Sequence, residues 1–201
     1  MQTFGFHLDF VSPYAFLAFE QLPKALEGCS YATDYRPVLL GAIFKQHGHQ
    51  GPHGIAPKYD WVLRQTRWLA HAHGIAMQMP AAHPFDPLPL LRLALACSDD
   101  GSISRRVAAA VFRHVWQGNG ADANDPARLA ALADALSPQH DPASPEVKTM
   151  LRANTQAALE AGVFGVPGFT VGRDVLWGFD ALPMLRARLL RDPWFGPFSE
   201  S

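Results

Sequence analysis

Phe4, Phe6, Leu8 and Phe10 alternate with other residues at the start of the chain, the period of a β-strand. Past Ser12-Pro13 the period changes. Tyr14, Leu17, Ala18 and Leu22 recur at helical spacing, and Gly28 ends the run. The pattern predicts a strand over about residues 3–10 and a helix from Pro13 to about Glu27. "YATDYRPVLL" (31–40) reads as a second strand, in which Pro37 requires an edge position or a bulge because it brings no N–H to a ladder. Strand, helix and strand in this order suggest a right-handed βαβ unit.

From Gly41 to about residue 145 the periodicity is helical and punctuated. "GHQGPHGIAP" is a loop. "KYDWVLRQTRWLAHAHG", "PLPLLRLALACSDDG", "SRRVAAAVFRHVWQGNG" and "DPARLAALADAL" supply helices, the last opened by Asp125 as N-cap with Pro126 behind it. From about Pro145 a helix runs through "EVKTMLRANTQAALEAG". "VFGVPGFTVG" and "RDVLWGF" follow as short strands around a Gly172–Arg173–Asp174 turn, and "DALPMLRARLLR" closes as a helix. The expected fold is α/β: a thioredoxin-like domain (βαβ…ββα) with a helical domain inserted in the middle of the chain. Residues 1–41 and 146–201 would form the first domain and 42–145 the insertion. The aromatic tail, with Trp194, Phe195 and Phe198, is expected to pack on something.

Composition narrows the function little. The 201 residues are 48% hydrophobic and 17% charged, with a net charge of −1. No bulk field draws the chain to nucleic acid or an anionic membrane. No apolar run is long enough to cross a bilayer and no signal peptide opens the chain, so a cytoplasmic location is expected. Cys29 and Cys97 lie far apart in sequence, and a disulfide is not expected in a reducing compartment. Cys97, in the apolar run "LRLALAC", reads as a buried, inert thiol.

Candidate chemistry begins at Ser12. Serine followed by proline is a common helix start, so a capping role is expected from the local sequence alone. A thioredoxin-like redox enzyme would place its attacking cysteine at this junction. In "SPYA" both positions of a C-x-x-C motif, Ser12 and Ala15, lack a thiol. Disulfide exchange needs a thiolate, so the junction cannot support dithiol chemistry. His47, His49 and His53 share one loop, while His71 and His73 alternate on a helix. Residues i and i+2 on a helix do not share a face, and the loop brings no cysteine or acid, so no metal site is expected. His7 and Asp9 read as hydrogen-bonded fold residues rather than an acid–base pair. Trp61, Trp68 and Trp116 are expected to be mostly core, one or two walling an aromatic pocket.

Ser12-Pro13, "GVFGVPGF" and "WGFD", with "RPVLLGAIFK", "WVLRQTRWLAHAHGI" and "HPFDPLPLLRLALA" in order between them, resemble one family over essentially the full length. This is the 2-hydroxychromene-2-carboxylate isomerase family, of the kappa-class glutathione transferase and DsbA-like superfamily. The resemblance implies a glutathione-dependent isomerase, usually a homodimer, acting on a small aromatic carboxylate in bacterial aromatic degradation. It implies that Pro167 is cis, facing the first helix's N-terminus, so that the Val166 backbone can pair with an extended peptide such as glutathione. It further implies that Asp180 and the Phe179 backbone hold the γ-glutamyl end, although an N-cap is the plain reading of Asp180. Lys58 reads as a partner for the glycyl carboxylate or a solvated lysine. The chain departs from the pattern at His49 and His83, where asparagine is usual, and at Asp86, Gly168 and Ala181. His49 is a candidate to replace the asparagine's hydrogen bond to the cofactor. Arg64 and Arg92 are among the cations that could meet the substrate carboxylate.

A free thiol titrates near ~8.5, and lowering that by about 2 units takes roughly 2.7 kcal/mol. A helix N-terminus contributes about 0.3–1 kcal/mol, up to ~2 when partly buried. A hydrogen bond from a serine hydroxyl to a charged sulfur adds roughly 1.5–3 kcal/mol. Together they suffice, so Ser12 is the candidate group that receives a borrowed sulfur. Two alternatives stay open: a broad kappa-like transferase or peroxidase, and a non-catalytic thioredoxin-like binding module in which Ser12 is only a cap.

Overall fold

The structure is a computed structural model that describes residues 1–196. Strand β1 (Gln2–Leu8) runs into helix α1 (Pro13–Ala25) and then strand β2 (Tyr31–Pro37), which pairs with β1 in parallel. Five helices follow: α2 (Leu40–Gln46), α3 (Ala56–His73), α4 (Leu88–Leu95), α5 (Arg105–Trp116) and α6 (Pro126–Leu136). Helix α7 (Pro145–Glu160) returns the chain to the sheet. Strands β3 (Gly168–Val171) and β4 (Asp174–Trp177) form a hairpin, and helix α8 (Leu182–Leu189) packs back on α1. The sheet order is β2-β1-β3-β4, with β3 antiparallel to β1 and β4 antiparallel to β3. This is the expected thioredoxin-like topology with a helical insertion, α3 to α7. Pro37 ends an edge strand, as its missing N–H requires. The hairpin turns at Gly172, whose φ of 59° favours glycine.

The strand period is realised directly: Phe4, Phe6, Leu8 and Phe10 are all buried. Helix α1 buries more than one face. Ala15, Phe16, Leu17, Ala18 and Phe19 are all inaccessible, because α1 lies between α8 on one side and α3 and α5 on another. Aromatic rings join these layers. Phe6 meets Phe169 at 4.9 Å within the sheet, Phe19 meets Phe112 of α5 at 5.1 Å, and Phe16 stacks on Trp116 at 6.0 Å. Asn154 of α7 donates to the carbonyls of Pro37 and Gly101, and Thr155 accepts from Leu39 N–H, tying the end of β2 to the helices. In the tail, Phe195 is half-buried, with the Arg188 guanidinium 5.6 Å from its ring, and Trp194 is exposed. Phe198 lies outside the described residues.

Two buried titratable groups flank the end of β1. His7 donates to or accepts from Thr170 Oγ1 at 3.1 Å, and burial lowers its pKa to about 4. Asp9 accepts from the backbone N–H groups of Val11 and Leu40, and burial raises its pKa to about 7. They bond to other groups rather than to each other, as expected of fold residues. A depressed histidine makes stability rise with pH between about 4 and 6.5, because the unfolded chain binds the extra proton there. A raised aspartate makes stability fall over nearly the same window, because the folded chain holds the proton. Each slope amounts to roughly 3 kcal/mol across that window, and they oppose each other. Relative to wild type, unfolding free energies of Asp9→Asn should therefore climb from pH 4.5 to 6.5, and those of His7→Gln should decline. Parallel denaturation curves for all three proteins across that range would contradict this assignment.

Candidate active site

The short turn from Asp9 to Ser12 is held at several of its backbone groups. The Ser12 N–H donates to the Asp9 carbonyl at 3.0 Å, and Val11 N–H donates to Asp9 Oδ1 at 3.2 Å. The Phe10 carbonyl accepts from Trp116 Nε1 at 3.0 Å, and the Val11 carbonyl accepts from His83 Nε2 at 2.8 Å. The second Asp9 oxygen accepts from Leu40 N–H at 2.9 Å, joining the turn to the start of α2.

Ser12 caps α1 from an extended backbone, φ −88° and ψ 115°, with Oγ accepting from Ala15 N–H at 3.2 Å. Pro13 follows at the first helical position. The hydroxyl proton points to the Val166 carbonyl at 3.4 Å, long for an O–H···O bond. The Val166–Pro167 bond is cis, and Val166 N–H meets no acceptor among the described residues. Gly168 leaves room for this turn: a Cβ there would meet Gly165 O and Val163 Cγ1, both at 3.0 Å.

Ser12, Val166 and Pro167 open onto a cleft of about 790 Å³. Its walls bring together the candidate catalytic and cofactor-binding residues Ser12, His49, Lys58, Val166, Pro167, Phe179 and Asp180. No cysteine lines it; Cys29 and Cys97 are both free and half-buried elsewhere, and burial raises the Cys97 thiol pKa. His49 Nδ1 accepts from Gly51 N–H at 3.0 Å, leaving Nε2 as the remaining ring nitrogen. Trp61, Phe164 and Trp177 line the cleft while staying largely exposed, and the last two rings meet at 5.1 Å. A second hollow of about 420 Å³, lined by Pro23, Tyr31, Tyr35 and Arg105, holds none of the candidate residues.

Several expectations need correction. Asp180 does not cap the last helix: it sits inside a 3-10 turn, Phe179–Ala181, that precedes α8, and caps nothing. Lys58 lies within the first turn of α3. Trp61 and Trp68 are 57% and 63% exposed; only Trp116 is core. Helix α3 instead buries Thr66 and Ala70, so its packing face is made of small residues and its tryptophans lie outside. Neither Arg64 nor Arg92 lines the cleft. The sequence reading missed Tyr59, which lines the cleft and hydrogen-bonds His83, and Gln65, which accepts from Tyr14 Oη at 2.5 Å. Both pairs join residues distant in sequence, and no local pattern announces them.

Comparison with known proteins places this geometry. The family model for the DSBA-like thioredoxin domain matches residues 4–190. The chain belongs to that family. This DSBA-like protein is 25% identical over 197 residues to a 2-hydroxychromene-2-carboxylate isomerase of Sphingobium xenophagum, covering 94% of this chain and 98% of the relative. It is 26% identical to human glutathione S-transferase kappa 1, covering 98% of this chain and 94% of the relative. A solved 2-hydroxychromene-2-carboxylate isomerase superposes with a TM-score of 0.79 at 25% identity, over 94% of this chain and 95% of that one. A probable DsbA oxidoreductase from Streptomyces coelicolor shares the fold, with a TM-score of 0.70 at 17% identity, over 100% of this chain and 93% of that one. The DSBA-like chain is thus related to isomerases and glutathione transferases, which supports a catalytic role of that general kind. Among its described residues, no helix is long and apolar enough to cross a membrane.

Because Ser12 is the side-chain cap of α1, Ser12→Ala should lower unfolding free energy by about 1 kcal/mol. Chemical denaturation measures this, and an unchanged midpoint and slope would show that Ala15 N–H is satisfied without the hydroxyl.

Proposed function

We propose that this protein is a glutathione-dependent isomerase that interconverts 2-hydroxychromene-2-carboxylate and trans-o-hydroxybenzylidenepyruvate during aromatic hydrocarbon degradation. The observation that carries the reading is a loosely held serine hydroxyl at a helix N-terminus, opposite a cis proline, in a cleft without a cysteine. The unpaired Val166 N–H supports the fit, since an extended tripeptide offers the carbonyl that this donor lacks.

In this reading Val166 and Pro167 align the tripeptide and Asp180, with the Phe179 backbone, takes its γ-glutamyl ammonium. Lys58 pairs with the glycyl carboxylate, and His49 Nε2 adds a hydrogen bond. When bound, glutathione supplies the thiol nucleophile that lets the chromene ring open and a bond rotate before it departs. Ser12 keeps its cap to Ala15 N–H through one lone pair and turns its proton from the Val166 carbonyl toward the sulfur. The start of α1 adds its partial positive charge at the same point. The thioredoxin-like segments, 1–41 and 146–201, hold the cofactor; the inserted helices of 42–145, with Trp61 at the cleft mouth, wall the bicyclic substrate. A cytoplasmic homodimer completes the proposal. The departures at His49, His83 and Gly168 support a second reading, a kappa-like transferase of broader electrophile range.

Retention on immobilised glutathione, together with a glutathione-dependent loss of chromene carboxylate absorbance, tests the reading. The Ser12→Ala variant should bind glutathione but turn over roughly 10–100-fold more slowly, the effect of losing one hydrogen bond to a charged group. Neither retention nor spectral change in the wild type would overturn the enzymatic proposal. Full turnover in Ser12→Ala would remove Ser12 from it.

A further inference from the structure

Strand β2 is an outer strand of the sheet, so one of its two edges has no neighbouring strand. Gln2 N–H donates to the Ser30 carbonyl at 3.3 Å, and Val38 N–H to the Leu8 carbonyl at 2.9 Å. These bonds fix the phase of the parallel ladder. Even-numbered residues of β2 turn their backbone groups to β1, and Tyr31, Thr33, Tyr35 and Pro37 turn theirs outward. The chain covers only half of this outer edge with its own groups. The Pro37 carbonyl accepts from Asn154 Nδ2 at 3.1 Å, and the Tyr35 carbonyl accepts from Ile103 N–H at 2.9 Å. Ile103 lies antiparallel to Tyr35, but the chain turns into α5 at Ser104 and leaves the edge after that one pair. The backbone N–H and C=O groups of Tyr31 and Thr33 meet no partner among the described residues.

The hollow of about 420 Å³ opens beside these four groups, between the Tyr31, Thr33 and Tyr35 side chains, Pro23 of α1 and Arg105 of α5. In an added strand, the residue directly opposite Thr33 sends its side chain to the same face as Thr33, into this hollow. A cation waits there. Arg105 Nη1 donates to Tyr35 Oη at 2.9 Å, and its guanidinium lies 4.4 Å from the centre of the Phe19 ring. Arg105 makes no ion pair among the described residues. Open edges are commonly blocked by lysine or proline, and neither stands at Tyr31 or Thr33.

We propose that the Tyr31–Thr33 edge of β2 docks an extended, acidic peptide segment of a partner protein. The segment runs antiparallel, in line with Ile103, and places a glutamate opposite Thr33. Its backbone supplies the four missing hydrogen-bond partners, and its glutamate supplies the anion that Arg105 lacks. This site shares no lining residue with the Ser12 cleft, so it stands or falls independently of the glutathione reading.

The test titrates nitrogen-15-labelled protein with a blocked peptide of sequence threonine-valine-glutamate-valine-threonine, and with a twin carrying lysine in place of glutamate. Nuclear magnetic resonance should show the Tyr31 and Thr33 amides shifting and their hydrogen exchange slowing. The lysine twin should bind roughly 2–5-fold more weakly, the worth of one exposed ion pair, and Arg105→Gln should erase that difference. Thr33→Pro removes only an outward N–H and should weaken binding roughly 10-fold, while retention on immobilised glutathione stays unchanged. If Thr33→Pro fails to fold, by circular dichroism, the peptide N-methylated at its glutamate replaces it, since it lacks the same edge pairing and leaves the protein intact. Unmoved Tyr31 and Thr33 amides would overturn the proposal, and so would equal binding of the two peptides to the wild type. Protection of those amides without peptide, rising with protein concentration in step with dimer formation by sedimentation, would assign the edge to a second copy and overturn it too.

Discussion

The cleft depends on the clamped backbone between Asp9 and Ser12. A serine hydroxyl can cap a helix and face a ligand only if its own main chain is fixed, and here Asp9, Trp116 and His83 fix it. Two of these three clamps come from the inserted helical part of the chain. Trp116 ends α5, and His83 lies between α3 and α4. The insertion is therefore more than a cover: it supplies the donors that satisfy the Phe10 and Val11 carbonyls. The Phe10 carbonyl is buried, and leaving it unpaired there would cost about 1–3 kcal/mol.

Much of this was readable in sequence, and the boundary between read and missed follows range. Ser12-Pro13, Gly165-Val166-Pro167 and Gly172 are local signals, because each residue type acts on its own backbone. All three appear where expected. The strand alternation of Phe4, Phe6, Leu8 and Phe10 was equally direct, since a period of 2 leaves little ambiguity. Helix α3 was misread for a physical reason. Hydrophobicity marks tryptophan as core, but the buried face of α3 is made of the small residues Thr66 and Ala70. Asp180 was misread because a 3-10 turn and an N-cap share the same residue preferences. The clamps were beyond reach, since Trp116 and Phe10 are 106 positions apart and His83 and Val11 are 72 apart.

The loss of cysteine from a thioredoxin-like junction alters what the remaining parts are for. A helix start and a facing proline stabilise a sulfur anion whether the sulfur belongs to the chain or arrives with a ligand. The resident Ser12 hydroxyl supplies what a second helix-start thiol would not, a strong donor. Its energetic availability follows from its present partner. The bond to the Val166 carbonyl is 3.4 Å long, so redirecting the proton gives up little, while the cap to Ala15 N–H uses a different lone pair and need not be broken. A hydroxyl locked in a short, well-aligned bond would have to lose much of the roughly 1.5–3 kcal/mol that a charged sulfur returns. Weak satisfaction at rest is thus the physical condition under which a helix cap can also serve a borrowed thiolate.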